Sequence, residues 1–179
     1  MPIKLPKLLL SIGLCLGAGI LGSFFTVSSI PTWYQTLNKP FFSPPNFVFG
    51  PVWTFLYIVM GISLYLALSG KGKGEREKAI RIFGVQLILN ALWSIIFFGM
   101  RNPTLALVDI VALWIAIILT IKAFSKINKL AGSTIAGFGS STVFLPLALI
   151  FFDFKTALVL VAILAVGIKF VYDLRRLLT

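Results

Sequence analysis

The sequence predicts an all-α integral membrane protein, a bundle of five to six transmembrane helices. Of its 179 residues, 59% are hydrophobic and 12% are charged, whereas soluble domains are about 45–50% apolar and about 25% charged. Too few charges remain to coat a soluble domain, and an aromatic content of 14% argues against disorder. The single cysteine, Cys15, excludes an intrachain disulfide, and the lack of histidine excludes imidazole-based catalysis and His-ligated metal sites.

Six apolar stretches are long enough for a helix to cross a bilayer, which takes about 20 residues. They lie at 8–28, 47–69, 80–100, 104–124, 132–152 and 156–174. The first is expected to be a retained span, because it is longer than the apolar region of a usual signal peptide. The fifth is diluted by glycine, serine and threonine and contains Pro146. We treat 1–179 as one transmembrane helical domain.

Basic residues separate the two sides of the predicted bundle. Lysine and arginine are frequent before the first span, in the second and fourth connections at 70–81 and 122–131, and in the tail at 175–176. They are sparse in the connections at 29–46, 101–103 and 153–155. The positive-inside rule then places both termini in the cytoplasm if there are six spans. The net charge of +11 is explained by loops that face anionic lipid headgroups, and no nucleic-acid partner is expected.

The connection at 31–46 is the least lipid-like part of the chain. Pro31, Pro40, Pro44 and Pro45 fix φ at four points, so a long helix is excluded and one stiff shape is expected. The same segment carries the aromatic residues Trp33, Tyr34, Phe41 and Phe42. It is either an aromatic belt at the membrane interface or a lid over a cavity between the helices.

Polar side chains at membrane depth are costly and tend to face the bundle interior. In the second span Trp53 and Tyr57 are four residues apart and share a face. In the third, Gln86, Asn90 and Trp93 form one helical stripe. The stripe is either a set of interhelical hydrogen bonds or the lining of an apolar pocket with a few donors, suited to a flat ligand.

Asp109 is a carboxylate well inside the predicted fourth span. It is interpreted either as a partner of Arg101 or of a neighbouring helix, or as part of a proton relay for which no second titratable group is evident. The sequence contains no paired carboxylates, nucleophile with a base, or metal cluster, so neither an enzyme activity nor a cofactor is predicted. The 70–74 run, GKGKG, is expected to be a flexible connection, and Gly13 and Gly17 form a GxxxG step that permits close helix packing.

Two ordered blocks resemble the TspO/MBR family of translocator or peripheral benzodiazepine receptor proteins. The first is WYQTLNKPFFSPPNFVFGPVWTFLYIVMG at 33–61, and the second is QLILNALWSIIFFGMRNPTLALVDI at 86–110. The resemblance covers about residues 8–131. Phe42 stands where the family usually has tryptophan, and nothing after residue 131 reproduces the family's last motif, so 132–179 is expected to be divergent.

The resemblance implies a helical bundle of usually five spans, often dimeric, with a pocket covered by the loop after the first span. Family members bind porphyrins, sterols and synthetic drugs, and bacterial members are linked to tetrapyrrole regulation and stress. The ligand-binding positions that the resemblance implies in this sequence are Trp33, Pro44, Pro45, Trp53, Tyr57, Gln86, Asn90, Trp93 and Asp109.

The leading hypothesis is therefore a membrane receptor or carrier for a porphyrin or a sterol-like molecule. The alternatives are a small transporter of such ligands, or a catalyst of porphyrin degradation. Membrane lipids, the small ligand and a second copy of the chain in a homodimer are the expected partners. The expected location is a prokaryotic cell membrane.

Overall fold

Helices follow one another along the chain much as the apolar stretches predict. The structure, a computed structural model, describes residues 3–37, 46–70 and 72–139. The described helices are α1 (Leu5–Ser29), α2 (Phe49–Ser69), α3 (Lys73–Ser94), α4 (Pro103–Ile127) and α5, which is described over 129–139. α1 to α4 are long and apolar enough to cross a membrane, with α3 continuing to Gly99. The predicted all-α membrane bundle is confirmed, and the chain is a multi-pass membrane protein.

The choice between five and six spans lies outside the described residues. The predicted sixth span at 156–174 and most of the fifth at 132–152 fall beyond residue 139. The predicted alternation of charge agrees with the described helices. Lys4 precedes α1, Lys73 begins α3 and Lys126 lies in the last turn of α4, all at one end of the bundle. We refer to this end as the inner end and to the opposite end as the outer end.

The helices form a ring in which α5 lies between α2 and α4. α1 packs against α2 and α3, and α3 packs against α4. On the other side, the Ser63 hydroxyl of α2 donates to the Ala131 carbonyl of α5 at 2.8 Å. Ile135 and Phe138 of α5 are buried in the same core cluster as Ile117 and Phe124 of α4. The order around the ring is therefore α1, α2, α5, α4, α3.

The connection predicted at 70–81 is mostly helix, because α3 begins before the apolar stretch that marked its span. The last two residues of the 70–74 run, Lys73 and Gly74, therefore belong to α3 and not to a flexible connection. α3 begins at Lys73, and only a short turn, in which Gly72 has φ +91°, separates it from α2. The residues from 73 to 81 include glutamate, lysine, arginine and alanine, which favour helix. Hydropathy marked only the membrane-buried part of this helix and missed its charged first turns.

At the outer end, α3 and α4 are joined by a tight turn. The last residues of α3, Ile95–Gly99, form a π-helical turn, in which the Met100 N–H bonds the Ile95 carbonyl at 2.9 Å. Arg101 follows with φ +53°. The Asn102 side chain then caps α4 by accepting from the Leu105 N–H at 3.0 Å.

Glycines allow α1 to approach its neighbours closely, although not at the predicted positions. A Cβ at Gly61 of α2 would lie 2.5 Å from the Ile12 Cα of α1, so the two backbones are nearly in contact there. A Cβ at Gly22 of α1 would lie 3.0 Å from the Ser94 Oγ of α3. Gly13 and Gly17, by contrast, have nothing within 4 Å of such an atom. The expected packing at this GxxxG step is not found among the described helices.

Candidate functional site

Aromatic rings gather at the outer ends of α1 and α3 in what we call the outer aromatic cluster. Its members are Trp33, Tyr34, Trp93, Phe97 and Phe98. The Trp93 and Phe97 rings are stacked, with centroids 5.1 Å apart and planes 11° apart. The Trp33 ring meets Phe97 edge-on at 5.5 Å. Trp33 and Trp93 are only half-buried, so parts of both rings are open to a ligand or to lipid.

The π-helical turn carries two consecutive phenylalanines of this cluster. Phe97 and Phe98 are both buried, and their rings contact each other edge-on at 4.9 Å. The Ser29 hydroxyl of α1 donates to the Phe98 carbonyl at 2.8 Å and fixes this turn to α1. π-helical turns of this kind are frequent at functional sites.

The first turn of the 31–46 connection is attached to this cluster. Trp33–Thr36 form a short 3-10 helix, and the buried Tyr34 ring packs on Phe98 at 5.8 Å. Burial raises the pKa of the Tyr34 phenol above its usual value, so this side chain stays neutral. Pro44 and Pro45, with the rest of 38–45, lie outside the described residues. The predicted lid therefore stays a prediction.

A hydrogen bond joins α2 to α3 just below the aromatic cluster. The Tyr57 hydroxyl donates to the Asn90 Oδ1 at 2.5 Å, and both side chains are buried. Trp53 lies one turn nearer the outer end of α2, with its ring centroid 6.1 Å from that of Tyr57. The predicted common face of Trp53 and Tyr57 is confirmed. Trp53 is half-buried, so its ring is available for further contact.

Gln86 lies one turn deeper on the interior stripe of α3. The side chain is fully buried, and its amide nitrogen donates to the Met60 Sδ at 3.5 Å. In the part of the chain that the structure describes, the Gln86 Oε1 has no hydrogen-bond partner. A thioether is a weak acceptor, so Gln86 joins α2 and α3 less firmly than Asn90 does.

Asp109 lies on the interior face of α4, one turn below Ala106, which contacts the outer aromatic cluster. Its carboxylate is buried, and among the described residues the Oδ2 atom has no hydrogen-bond partner. The suggested ion pair with Arg101 is not formed within the described residues. A buried oxygen without a partner at membrane depth is costly. Here it leaves a hydrogen-bond acceptor on the interior face of α4.

Five of the nine predicted site residues therefore fall into one layer near the outer end. Counted along the helices at about 1.5 Å per residue, Trp53, Tyr57, Asn90, Trp93 and Asp109 all lie within about 14 Å of the outer ends. Gln86 lies deeper, among apolar side chains. The layer combines open aromatic faces with a few polar atoms, which is the composition of sites that bind flat apolar molecules.

Sequence reasoning missed two parts of this arrangement. Phe97 and Phe98 lie within the second family-like block, but nothing in that block reveals the π-helical turn that buries both of them. Gly19 was also missed, although the Tyr57 ring lies directly against it. Glycine is common in membrane helices, so its presence alone does not mark a close contact.

Comparison with known proteins agrees with the resemblance in the sequence. The sequence model of the TspO/MBR family matches residues 11–145. The match extends past residue 131, so part of the region predicted to be divergent also fits the family. The chain is 55% identical to a tryptophan-rich protein TspO of Archaeoglobus fulgidus over 116 residues, 64% of this chain and 74% of that protein.

Two further relatives give the same picture. A tryptophan-rich protein TspO of Chlorobaculum tepidum is 48% identical over 123 residues, which is 68% of this chain and 78% of that protein. The human translocator protein is 41% identical over 113 residues, which is 62% of this chain and 66% of that protein. Archaeal, bacterial and human relatives thus each match at least 62% of this chain.

Proposed function

The chain belongs to the TspO/MBR family, and from this membership and the layer at the outer end we propose that it is a membrane receptor or carrier for a flat, largely apolar ligand. A porphyrin is the first candidate and a sterol-like molecule the second. The close archaeal and bacterial relatives support a prokaryotic cell membrane as its location.

The observation that carries the proposal is the combination of open aromatic faces with one hydrogen-bonded pair at the same depth. Trp53 and Trp93 are half-buried, and each lies about one turn nearer the outer end than the Tyr57–Asn90 bond that joins their helices. Offset or edge-on contacts between aromatic rings stabilise by about 0.5–1.5 kcal/mol each beyond the area they bury. A macrocycle bound in this layer would gain several such contacts.

The proposed mechanism needs only binding and orientation. The apolar faces of the ligand would pack on Trp53 and Trp93, while the amide of Asn90 would meet one polar edge. Trp33, which contacts Phe97, would cover the outer side of the ligand together with the connection that follows it. The Asp109 carboxylate is an additional acceptor for a ligand N–H group.

A titration of the purified protein with protoporphyrin IX, followed by the Soret absorbance of the porphyrin, tests this proposal. Trp53→Ala and Trp93→Ala are each expected to weaken binding by about tenfold, since about 1.4 kcal/mol corresponds to a factor of ten. Absorbance of the porphyrin is preferable to protein fluorescence because these substitutions remove part of the tryptophan signal.

Trp114→Ala provides the matched control. Trp114 lies on α4 about 16 Å from its outer end, deeper than the proposed layer. Its indole nitrogen has no hydrogen-bond partner within residues 3–37, 46–70 and 72–139, so the substitution removes no such bond there. If Trp114→Ala weakens binding as much as Trp53→Ala and Trp93→Ala do, the proposed location of the ligand is wrong.

Counterflow of porphyrin in liposomes then separates a carrier, which exchanges ligand across the membrane, from a receptor, which does not.

A further inference from the structure

Tyr57 rests directly on the backbone of α1 at Gly19. A Cβ atom built on Gly19 would overlap the Tyr57 Cε2 and would lie 2.5 Å from Cδ2 and 3.1 Å from Cζ. These are ring atoms of a buried side chain, which cannot give way as the end of a flexible chain could. The ring can occupy this place only because residue 19 has no side chain.

From this place the Tyr57 hydroxyl crosses to α3. It donates to the Asn90 Oδ1 at 2.5 Å, so the carbonyl side of the Asn90 amide is already occupied. An amide has two N–H donors on its other side. Within the described residues no hydrogen bond from Asn90 Nδ2 is found, and Nδ2 is not one of the fully buried atoms without a partner, so it can be reached by a ligand. The bond with Tyr57 therefore sets which side of the Asn90 amide remains available.

We propose that Gly19 is a positioning residue that determines ligand specificity: by admitting the Tyr57 ring against α1, it holds Asn90 with its N–H groups free and makes the site select flat ligands that carry a hydrogen-bond acceptor at one edge. Carboxylates and carbonyls are the acceptor classes concerned. The inference rests on the proposed function, and it adds the chemistry of the polar edge to it.

The selection follows from the cost of unpaired polar groups in a low-dielectric site. A carboxylate that accepts from Asn90 forms a charge-assisted hydrogen bond, which is stronger than a neutral one. A ligand of the same shape without an acceptor leaves the buried amide donors unpaired and loses affinity. The site should therefore separate two porphyrins that differ only in their substituents.

Adding a single methyl group at residue 19 should weaken this selection. In Gly19→Ala the new Cβ displaces the Tyr57 ring from α1, and the hydroxyl no longer reaches Asn90 Oδ1. The amide is then free to rotate and presents its acceptor as readily as its donors. Contacts with the apolar faces of the ligand are expected to remain, because they are made by Trp53 and Trp93. The atoms nearest to a Cβ at Gly19 all belong to Tyr57 and not to these tryptophans.

The test compares protoporphyrin IX, which has two carboxylates, with etioporphyrin I, which has alkyl substituents only. Both are titrated by Soret absorbance against the full-length protein in the same detergent. The native chain is expected to bind protoporphyrin IX at least tenfold more tightly than etioporphyrin I. In Gly19→Ala this ratio should fall by about fivefold or more, which corresponds to one hydrogen bond of about 1 kcal/mol, while etioporphyrin I affinity changes by less than about twofold.

Gly13→Ala is the matched control, because Gly13 lies on the same helix as Gly19 and a Cβ there meets nothing within 4 Å. The ratio of the two porphyrin affinities should be unchanged in this variant. Tyr57→Phe removes only the hydroxyl and should lower the ratio as Gly19→Ala does. The double variant Gly19→Ala/Tyr57→Phe should lower it no further, because both changes release the same bond.

The outcomes are distinguishable. If the native chain binds neither porphyrin, the proposed function fails. If it binds both and Gly19→Ala leaves the ratio intact, or weakens both porphyrins equally, the proposed function stands and the role of Gly19 is wrong. Additive losses in the double variant would likewise overturn the link from Gly19 through Tyr57 to Asn90.

Discussion

The inner and outer halves of the bundle are built on different principles. The inner half is closed by large apolar side chains from four helices, among them Met60, Phe83, Phe124 and Phe138, each at most 2% exposed. Phe83 and Phe124 stack there at 5.5 Å. The outer half has half-open tryptophans, a π-helical turn and buried polar atoms, one of which, Asp109 Oδ2, has no partner.

This difference separates residues that hold the bundle together from residues that are available to a ligand. In a membrane, association of helices depends on close packing and interhelical hydrogen bonds, because lipid is as apolar as the core. The inner half satisfies this requirement with packed rings. The outer half retains open rings and the Asp109 Oδ2 atom, which has no partner among the described residues, as expected of a surface completed by a bound molecule.

The largest expected effect on stability would come from a substitution that creates a cavity in the packed inner half. Phe124→Ala removes a fully buried ring that stacks on Phe83. At about 24 cal/mol per Å³, a cavity of roughly 100 Å³ destabilises the fold by about 2 kcal/mol. We expect a clear loss of thermal stability in detergent, while the protein that remains folded binds porphyrin normally.

Phe24→Ala is the control for this loss, because Phe24 on α1 is 69% exposed and faces away from the bundle. It should leave thermal stability almost unchanged. If the two variants melt at the same temperature, the inner half is not the packed core that the contrast requires. A loss of porphyrin affinity in Phe124→Ala protein that is still folded would contradict the claim that only the outer half binds the ligand.

A smaller effect is expected from the bond that fixes the π-helical turn. Ser29→Ala leaves the Phe98 carbonyl without the donor that it has at 2.8 Å, at a cost of about 1 kcal/mol. Since the turn carries the outer aromatic cluster, porphyrin affinity should fall along with thermal stability. The drop in melting temperature should be smaller than that of Phe124→Ala.

The neighbouring serine provides a close control for this variant. Ser28 is exposed and its hydroxyl bonds only to carbonyls of its own helix, those of Phe24 and Phe25. Ser28→Ala should therefore change neither thermal stability nor porphyrin affinity. Equal effects of the two substitutions would mean that the bond from Ser29 to Phe98 does not maintain the cluster.

The smallest expected effect is at Gln86, on the boundary between the halves. Its Oε1 is unpaired and its nitrogen meets only the Met60 sulfur. Gln86→Met keeps a similar volume and removes both polar groups, so stability should stay within about 1 kcal/mol of the native chain or rise. Thermal melting measures this, with exposed Gln35→Met as a reference.

Binding measurements on the same variant sharpen the boundary. We place Gln86 below the ligand layer, so Gln86→Met should leave protoporphyrin IX affinity within about twofold of the native value. A larger loss would show that the ligand reaches deeper than the Tyr57–Asn90 bond. The polar layer would then have to include Gln86, as the sequence pattern first suggested.

Much of this bundle could be predicted from the sequence because hydropathy and charge act locally. Each apolar stretch up to residue 124 became a helix, and the lysines and arginines separated its two ends. The spacing of Trp53 and Tyr57, and of Gln86 and Asn90, correctly placed each pair on one interior face. The start of α3 was missed because its first turns are charged and lie beyond the apolar region.

What the sequence determined by itself is the all-α membrane class, the orientation of charge and the family, since these depend on composition and ordered motifs along one chain. Only the tertiary structure decided that Tyr57 reaches Asn90, that Gly19 rather than Gly13 or Gly17 makes this possible, and that Asp109 has an unpaired oxygen. The physical reason is that contacts between helices depend on their rotation and relative depth. Small differences in these move a side chain from lipid to the interior, and no local pattern specifies them.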